Sequence, residues 1–202
     1  MTPSVSPNSW PADGHSPLTE FFRSIHPLDP AILSYVDKHS FPVFVRKGNY
    51  LMQPGSEKQN LYLLIKGVMR GYLLDQQKEI TTWINEEFEI VGSIRSLGLD
   101  KPNEEFIEAI EDSWLVGIPY STIEFLYEKY PEANIIGRKV LEESYRDAEE
   151  RAFISRIPSA ELKYKRFLET KGDLINRIPL KFIASYLGMT LETLSRIRSR
   201  MR

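Results

Sequence analysis

Apolar residues recur at helical intervals towards both ends of the chain and at alternate positions in between. Residues 20–39 show helical spacing, which Pro27 and Pro30 divide into two short pieces. From about residue 41 to residue 119 the period changes to two, in short runs separated by Gly, Pro and Asn turns. The predicted strands are 43–45, 50–52, 61–65, 68–74, 80–84 and 115–118. Evenly spaced short strands of this kind are typical of a jelly roll or barrel.

Helical spacing returns after residue 120. A short helix is predicted over 120–130, and Pro131 suits the first position of a longer helix that runs to about residue 155. Its apolar positions form a stripe that must be buried, opposite a heavily charged face. Burial against a second copy of the same helix is one solution, and packing on the chain's own β-rich part is the other. The residues assigned to a dimer seam are Ile136, Val140, Leu141, Ala148 and Ala152.

Two short helices joined by a tight turn are predicted at the C-terminal end. Gly188 follows the first apolar stripe and suits the left-handed position that ends a helix. Thr190 can then cap a second helix, because its hydroxyl can accept a bond from a backbone N–H two or three residues on. The outward positions of this second helix are basic: Arg196, Arg198, Arg200 and Arg202. A helix, a Gly-containing turn and a basic second helix form the helix-turn-helix pattern, which places its second helix in the major groove of DNA.

Composition changes this picture mainly by exclusion. The chain has 202 residues, of which 42% are hydrophobic and 27% charged, as in ordinary globular proteins. It has no cysteine, which excludes disulfides, thiolate-held iron–sulfur clusters and a cysteine nucleophile. No apolar run approaches the roughly 20 residues of a membrane helix, and no signal peptide pattern is present. We therefore expect a cytoplasmic protein with no membrane partner.

Charge is distributed unevenly along the chain. Residues 151–202 carry 12 Lys and Arg against 4 Asp and Glu, whereas the first 150 residues carry 14 against 24. A basic segment on an acidic body is typical of a protein that binds a polyanion locally. A solvated, charged helix face is the alternative interpretation.

Candidate catalytic and metal-binding chemistry is sparse. There is no Ser/His/Asp arrangement, P-loop or Gly-rich nucleotide fingerprint. Glu104 and Glu105 are adjacent, and since adjacent side chains point apart on a strand, we predict a solvated loop there. His15, His26 and His39 precede the β-rich part and are predicted to be solvated or capping residues instead of haem ligands. We predict no enzyme activity, no metal site and no cofactor.

The order of parts resembles the catabolite-activator / fumarate-nitrate-regulator (Crp/Fnr) family of bacterial transcription regulators. The phrases that carry the resemblance are RKGNYLMQPG, LYLLIKGVMRGY, IEAIEDSWLVGIP and the C-terminal IASYLGMTLETLSRIR. It implies an α+β fold with an N-terminal double-stranded β-helix (jelly-roll) sensor domain, a long dimerisation helix and a C-terminal helix-turn-helix domain whose wing is missing or truncated. The implied boundaries are a flexible arm at 1–19, the sensor at 20–130, the dimerisation helix at 131–156 and the DNA-binding domain at 157–202.

The resemblance also implies a set of DNA contacts. Glu192 would accept from a cytosine amino group and Arg196 would donate to guanine, while threonines and Lys181 would touch phosphates. Leu191 stands where many members have an arginine, which predicts a different operator, with Leu191 against a thymine methyl group. The full set is Lys181, Thr190, Leu191, Glu192, Thr193, Arg196, Arg198 and Arg200.

The implied effector pocket departs further from the family pattern. In the family a Glu holds the ribose hydroxyl and an Arg pairs with the cyclic phosphate, whereas Ser93 and Asn103 stand at those positions here. A phosphate would lose its bidentate partner and face acidic neighbours, so cyclic AMP is not expected to bind in the usual way. The effector is a different small ligand or none. The pocket residues are Gly92, Ser93, Asn103, Glu104 and Tyr145.

The sequence as a whole predicts a homodimeric, sequence-specific regulator whose partners are double-stranded DNA, a second copy of itself and RNA polymerase. The alternative is a ligand- or partner-binding β-roll module with a degenerate helix-turn-helix. The missing wing and Leu191 favour the alternative, and the basic run from Arg196 to Arg202 opposes it.

Overall fold

The computed structural model describes residues 14–201. Two helices come first, α1 (Pro17–Ile25) and α2 (Pro30–His39). The strands that follow are β1 (Phe41–Val45), β2 (Tyr50–Met52), β3 (Asn60–Lys66), β4 (Met69–Asp75), β5 (Lys78–Asn85), β6 (Ile90–Val91), β7 (Phe106–Ala109) and β8 (Ser113–Pro119). The C-terminal part consists of α3 (Tyr120–Lys129), α4 (Pro131–Arg156), α5 (Ala160–Lys171), a 3-10 helix (Gly172–Asn176), α6 (Leu180–Tyr186) and α7 (Leu191–Met201).

The strands form two antiparallel sheets that enclose one apolar interior, as the alternating pattern predicts. The strand order is β1-β8-β3-β6 in the first sheet and β2-β7-β4-β5 in the second. Side chains from both sheets meet between them, as in other packed double sheets. The interior cluster consists of Val45, Met52, Tyr62, Leu64, Met69, Val91, Ile107, Ala109 and Leu115. This confirms the jelly-roll prediction, and the double sheet is called the β-roll below.

The sequence prediction lacks β6 and β7. Strand β6 is only two residues long, which is too short for an alternating pattern to be visible. Strand β7 follows two acidic residues and carries Glu108, so its sequence resembles a polar loop. Both strands are formed because the partner strands pair with them, β3 with β6 and β4 with β7, and local sequence did not reveal that pairing.

Helices cover the outer face of the first sheet. Leu63, Val116 and Ile118 point outward from this sheet into an apolar layer. The helical residues of that layer are Leu18, Ile32, Val36, Ile123, Leu126 and Ala133. Helices α1, α2, α3 and the start of α4 thus belong to the same folded body as the β-roll.

The predicted flexible arm ends earlier than expected. Helix α1 begins at Pro17 and is capped by Ser16, whose Oγ accepts from the Thr19 N–H at 3.1 Å. Asp37 of α2 accepts from the Ser16 N–H at 2.8 Å and from the Thr19 hydroxyl. Ser16, Leu18 and Thr19 are buried, so the prediction of an arm extending to residue 19 is wrong for these residues. Residues 1–13 of the predicted arm lie outside the described residues.

Helix α4 buries its two ends and exposes its middle. Ile136 is 5% exposed and packs within its own chain beside α3, so its assignment to a dimer seam is wrong. Ile154, near the other end, is 2% exposed and joins the C-terminal core. Leu141 and Tyr145, in between, are 67% and 63% exposed. The apolar stripe is therefore not buried along its whole length by the single chain.

The C-terminal helices share a core with the β-roll. Phe167 of α5, Leu174 of the 3-10 helix, Ile183 of α6 and Leu194 of α7 are each fully buried in one cluster. Three β-roll residues complete that cluster: Val68, Ile84 and Ile110. The helix-turn-helix is therefore mounted directly on the outer side of the second sheet.

Candidate nucleic-acid interface and effector site

The turn between α6 and α7 has the geometry that the sequence predicts. Gly188 has a φ of 65°, in the left-handed region that glycine adopts without strain. The Thr190 hydroxyl accepts from the Thr193 N–H at 3.2 Å and caps α7, as predicted. Because both ends of the turn are fixed locally, the direction in which α7 leaves α6 is set by the four residues between them.

Helix α7 has one buried side and one exposed side. Leu194 and Ile197 point into the C-terminal core. The residues on the exposed side are spaced one, three or four positions apart: Leu191, Glu192, Ser195, Arg196, Ser199 and Arg200. Thr193 and Arg198 lie at the margin and are half-buried. We call the exposed side the α7 face. The sequence-predicted contacts Leu191, Glu192, Arg196 and Arg200 all lie on it.

The electrostatics of the α7 face suit contact with nucleic acid. Hydrogen bonds from its own backbone N–H and from Thr190 lower the pKa of Glu192, so this carboxylate stays ionised and can accept from a base amino group. Among residues 14–201, Arg196, Arg198 and Arg200 form no ion pair with a carboxylate. Lys181, at the start of α6, is also exposed. These cations are therefore available to an external anion.

Other basic residues of the C-terminal segment are used internally. Arg177 forms ion pairs with Glu87 at 2.6 Å and Glu111 at 2.8 Å and donates to the Gly67 carbonyl at 3.2 Å. Lys171 pairs with Glu89 at 3.0 Å. Some basic residues of segment 151–202 thus form ion pairs with acidic residues of the first 150 residues and hold the two parts together. The sequence did not indicate this role.

A buried arginine links the β-roll to α6. Arg70 of β4 is 1% exposed and pairs with Glu108 at 2.6 Å and with Glu79 at 2.5 Å. Its guanidinium lies 3.6 Å from the ring centroid of Phe182 on α6 and 4.3 Å from that of Tyr72. The only sign of this buried arginine in the sequence is that Arg70 lies within the largely apolar run MRGYLL.

A serine on α6 bonds to the edge of the second sheet. Strand β5 is the last strand of that sheet, so its outer backbone groups lack a strand partner. Ser185 Oγ accepts from the Thr81 N–H at 3.0 Å and donates to the Glu79 carbonyl at 2.9 Å. One side chain thus satisfies one donor and one acceptor of the edge, and it holds α6 in register with β5.

The residues predicted for the effector pocket are only partly brought together. Ser93 and Asn103 are buried, at 4% and 2% exposure. Gly92 lies against Leu61, whose side chain a Cβ at this position would strike. Glu104 instead points outward, more than half exposed, and forms a long ion pair with Arg95 at 3.8 Å. Tyr145 lies on the exposed part of α4 and does not converge with the others, so its assignment to the pocket is wrong.

Asn103 has no hydrogen-bonding group left for a ligand. Its side-chain amide donates to the Gln53 carbonyl at 3.0 Å and to the Glu105 carbonyl at 2.5 Å. Its side-chain oxygen accepts from the Glu105 N–H at 2.9 Å. An asparagine amide has two N–H donors, and both are used. Asn103 therefore links the loop after β2 to the residues just before β7. Its amide has no donor left to bind a phosphate as an arginine would.

Glu105 is buried, contrary to the prediction of a solvated loop. It is 3% exposed, and its carboxylate accepts from Thr82 Oγ1 at 3.2 Å and from Ser93 Oγ at 3.4 Å. Burial raises the pKa of Glu105, and polar contacts with Thr82, Trp83 and Ser93 together with the charge of Arg95 oppose that effect. A carboxyl group thus lies beside the position where the family pattern would place an anionic phosphate, and these residues do not fit a cyclic nucleotide.

A groove of about 650 Å³ lies between α1, the β5–β6 region and α4. Phe21, Trp83, Phe88 and Val140 are among its apolar lining residues, and charged residues of α4 form its rim. Gly92 lines it, but Ser93, Asn103 and Tyr145 do not. The groove therefore shares only Gly92 with the predicted pocket.

The described part of the chain offers no other obvious chemistry. No group of three His, Cys, Asp or Glu residues within 14–201 could hold a metal ion. His15 pairs with Asp37 at 2.6 Å, and His39 contacts the Tyr35 carbonyl at 2.8 Å. None of the helices in this range is sufficiently long and apolar to cross a membrane.

Comparison with known proteins gives a consistent result. The cyclic nucleotide-binding domain family matches residues 42–130. The fumarate and nitrate reduction regulatory protein of Vibrio cholerae is 26% identical over 170 residues, which covers 78% of this chain and 67% of the relative. The protein of the same name from Escherichia coli is 28% identical over 184 residues, with the same coverage of each chain.

A solved structure shows the same fold. FixK2 from Bradyrhizobium japonicum superimposes with a TM-score of 0.69 at 19% identity, over 80% of this chain and 84% of that one. The chain is thus similar to these regulatory proteins, and its residues 42–130 match the cyclic nucleotide-binding domain family.

Proposed function

We propose that this protein is a sequence-specific DNA-binding transcription regulator that acts as a homodimer and reads the major groove with α7. The observation that carries the proposal is the α7 face, where Glu192 and Arg196 are exposed one turn apart on a capped helix. A carboxylate and a guanidinium at this spacing can contact neighbouring base edges. The relatives named as fumarate and nitrate reduction regulatory proteins support the same function.

Leu191 adds one more side chain on the α7 face that can contact a base. It is 42% exposed at the first residue of α7, beside Glu192. An apolar side chain there can contact a thymine methyl group but cannot donate to guanine. We expect the preferred half-site to carry thymine opposite Leu191 and a guanine opposite Arg196.

The dimer is proposed from the exposed middle of α4. Leu141, Tyr145, Ala148 and Ala152 follow one another at steps of four, three and four residues, the spacing of a coiled-coil seam. A two-fold dimer would place two copies of α7 about 34–36 Å apart, one turn of DNA. Ile136 and Val140 are left out of this seam because they face the chain's own β-roll side.

Control by cyclic AMP in the usual way is not part of the proposal. Asn103 has used both its donors, and Glu105 adds a buried carboxyl group at the site. Such a regulator would work in the cytoplasm, where it would meet both DNA and RNA polymerase.

The test is selection of binding sites from random duplex DNA by the purified protein, followed by affinity measurements on the selected site. We expect a near-palindromic site and a strong fall in affinity as salt rises. Arg196→Ala should cost about 1–3 kcal/mol on that site and relax preference at one base pair in each half-site.

Arg23→Ala is the matched control, since it removes the same charge from an exposed position on α1, beside Glu20. Its binding should equal that of the unmodified protein. Failure to enrich any sequence at low salt, with the protein folded, would contradict the proposal and favour the β-roll module with a degenerate helix-turn-helix.

A further inference from the structure

The β-roll interior contains a carboxylate whose close partners are neutral. Glu105 is 3% exposed and contacts the hydroxyls of Thr82 and Ser93. The nearest cation in its surroundings, Arg95, pairs with exposed Glu104 instead. Ser96, also buried, donates to Ser93 at 3.3 Å and extends the cluster. A buried carboxyl group with only neutral partners is costly, so its retention in this interior calls for a structural explanation.

An indole lies next to this cluster. Trp83 of β5 is partly buried: it packs against the interior residues of the β-roll and also lines the groove beside α4. On the neighbouring strand β4, a Cβ at Gly71 would overlap the Trp83 ring, so only glycine leaves room for it. Thr82, the chain neighbour of Trp83, donates to the Glu105 carboxylate at 3.2 Å. The ring and the carboxylate therefore occupy adjoining parts of one site.

A β-bulge positions these groups. Gly71 pairs with Trp83 and Tyr72 pairs with Thr81, so Thr82 is left without a partner on β4. A bulge of this kind redirects the side chains around it. The Thr82 hydroxyl lies 3.1 Å from the Gly71 carbonyl and 3.2 Å from the Glu105 carboxylate. The bulge thus brings Thr82 and Trp83 to Glu105 together.

The outer side of the same short segment holds the helix-turn-helix. Thr81 is bonded through its N–H to Ser185 of α6, and Ile84 lies in the core shared with α5, α6 and α7. Residues 81–84 therefore contact the interior site on one side and the DNA-reading unit on the other. A loss of packing at Trp83 would reach the helix-turn-helix through Ile84, one residue away, or through Thr81, two residues away.

We propose that Trp83 and Glu105 occupy the interior of the β-roll in place of a small effector, and that this internal filling keeps the helix-turn-helix competent to bind DNA without any added ligand. The indole takes up room beside Gly71, and the buried carboxylate would repel an anionic group placed next to it. The part of the inference that concerns DNA rests on the proposed function, whereas the part that concerns filling does not.

The first experiment uses the unmodified protein and readouts that do not involve DNA. Thermal unfolding is followed with and without cyclic AMP and with and without cyclic GMP, each at about 1 mM, because a ligand that binds only the folded state raises Tm. We expect no change in Tm with either nucleotide. A rise of several degrees with either one would overturn the proposal, whether or not the protein binds DNA.

The second experiment compares two tryptophans. Trp83→Ala empties the interior site, whereas Trp114→Ala removes the same atoms from the ring pair that Trp114 forms with Phe44 at 4.4 Å, away from the cluster. At a temperature where circular dichroism shows both variants folded, we expect Trp83→Ala to bind the selected DNA site at least tenfold more weakly. Trp114→Ala should bind it normally. Unchanged affinity of folded Trp83→Ala would overturn the proposal.

Two conservative variants keep the test decisive if Trp83→Ala does not fold. Trp83→Phe retains a ring in the same space and should retain most of the ligand-free DNA affinity, whereas Gly71→Ala, which pushes a methyl group into the indole, should lower it. Equal affinity for Gly71→Ala and the unmodified protein would contradict the inference. If the unmodified protein binds no DNA at all, the proposed function fails, and the nucleotide experiment still decides whether a cyclic nucleotide can enter the interior.

Discussion

Single residues in unusual environments determine how the helix-turn-helix is built and mounted. Arg70 is a charged residue within a strand and is enclosed by two carboxylates and two aromatic rings. Because a buried charge is stable only when it is paired, Arg70 specifies both Glu108 on its own sheet and Phe182 on α6. Gly188 acts more simply, through backbone freedom, and its contribution can be measured directly.

Gly188→Ala should lower the free energy of unfolding by about 1–2 kcal/mol, because a Cβ is strained at a φ of 65°. Space is not the cause, since the nearest atom to an added Cβ is Lys163 Nζ at 3.8 Å. The matched control is Gly172→Ala, where φ is −59° and an added Cβ meets nothing within 4 Å. Chemical denaturation should show this control to be neutral or slightly stabilising. Equal destabilisation of both variants would contradict the conformational argument.

Elements are joined across the molecule by ion pairs that the sequence did not indicate. The residues between the 3-10 helix and α6 are attached to the β-roll through Arg177, which contacts Glu87, Glu111 and the Gly67 carbonyl. Burial alone would raise the pKa of Glu87, but hydrogen bonds from Arg177 and from the Gly67 N–H lower it to about 2. The attachment of the C-terminal elements therefore depends on pH.

The sign of that dependence follows from the lowered pKa. The pKa of Glu87 is 4.5 in its ordinary state and about 2 in the fold, so its stabilising effect is present above about pH 5 and is lost as the pH falls towards 2. Glu87→Gln should therefore reduce the free energy of unfolding at neutral pH, by on the order of 2–3 kcal/mol, and much less near pH 2.

Urea denaturation across this pH range measures the effect. Glu57→Gln, on an exposed turn, is the control and should leave the pH profile unchanged. A profile of Glu87→Gln that runs parallel to that of the unmodified protein would show that Glu87 does not provide the acid-sensitive contact.

At the scale of the whole molecule, the fold was more predictable than the site. Alternating apolar positions and turn residues indicated the main strands, and helical spacing indicated α3, α4, α6 and α7, because these patterns reflect local burial. Helix α7 could be interpreted to the level of individual side chains for the same reason: Leu194 and Ile197 face inward, and Arg196 faces outward.

The interior site and the interdomain contacts could not be predicted in this way. Glu105 looks like a loop residue because Glu104 precedes it, and its burial depends on Thr82 and Ser93, which are distant in sequence. In the sequence, nothing distinguishes Trp83 and Gly71 from other strand residues. Their pairing beside the bulge at Thr82 is visible only in the structure. Ile136 fits a helical stripe equally well on either side of α4, and only the packed structure shows that it faces the β-roll.

The quaternary prediction belongs to this scale as well. Leu141→Glu should convert the dimer to monomers, because a two-fold seam would place two buried carboxylates near each other. The dimer dissociation constant, measured by analytical ultracentrifugation, should rise more than tenfold. Leu162→Glu is the matched control, since Leu162 is 55% exposed on α5, outside the seam. A dimer that survives Leu141→Glu would place the interface elsewhere.

The hydroxyl of Ser185 that bonds to the edge of β5 also has a consequence for solubility. An uncovered edge strand is a template on which strands of other molecules can add. Here α6 covers that edge, and the same contact shields Ile84 and Arg70 from water. The helix-turn-helix therefore also protects the exposed edge of the β-roll. A fragment ending at residue 156 should self-associate more readily than the full chain, and light scattering on the two at equal concentration would show it.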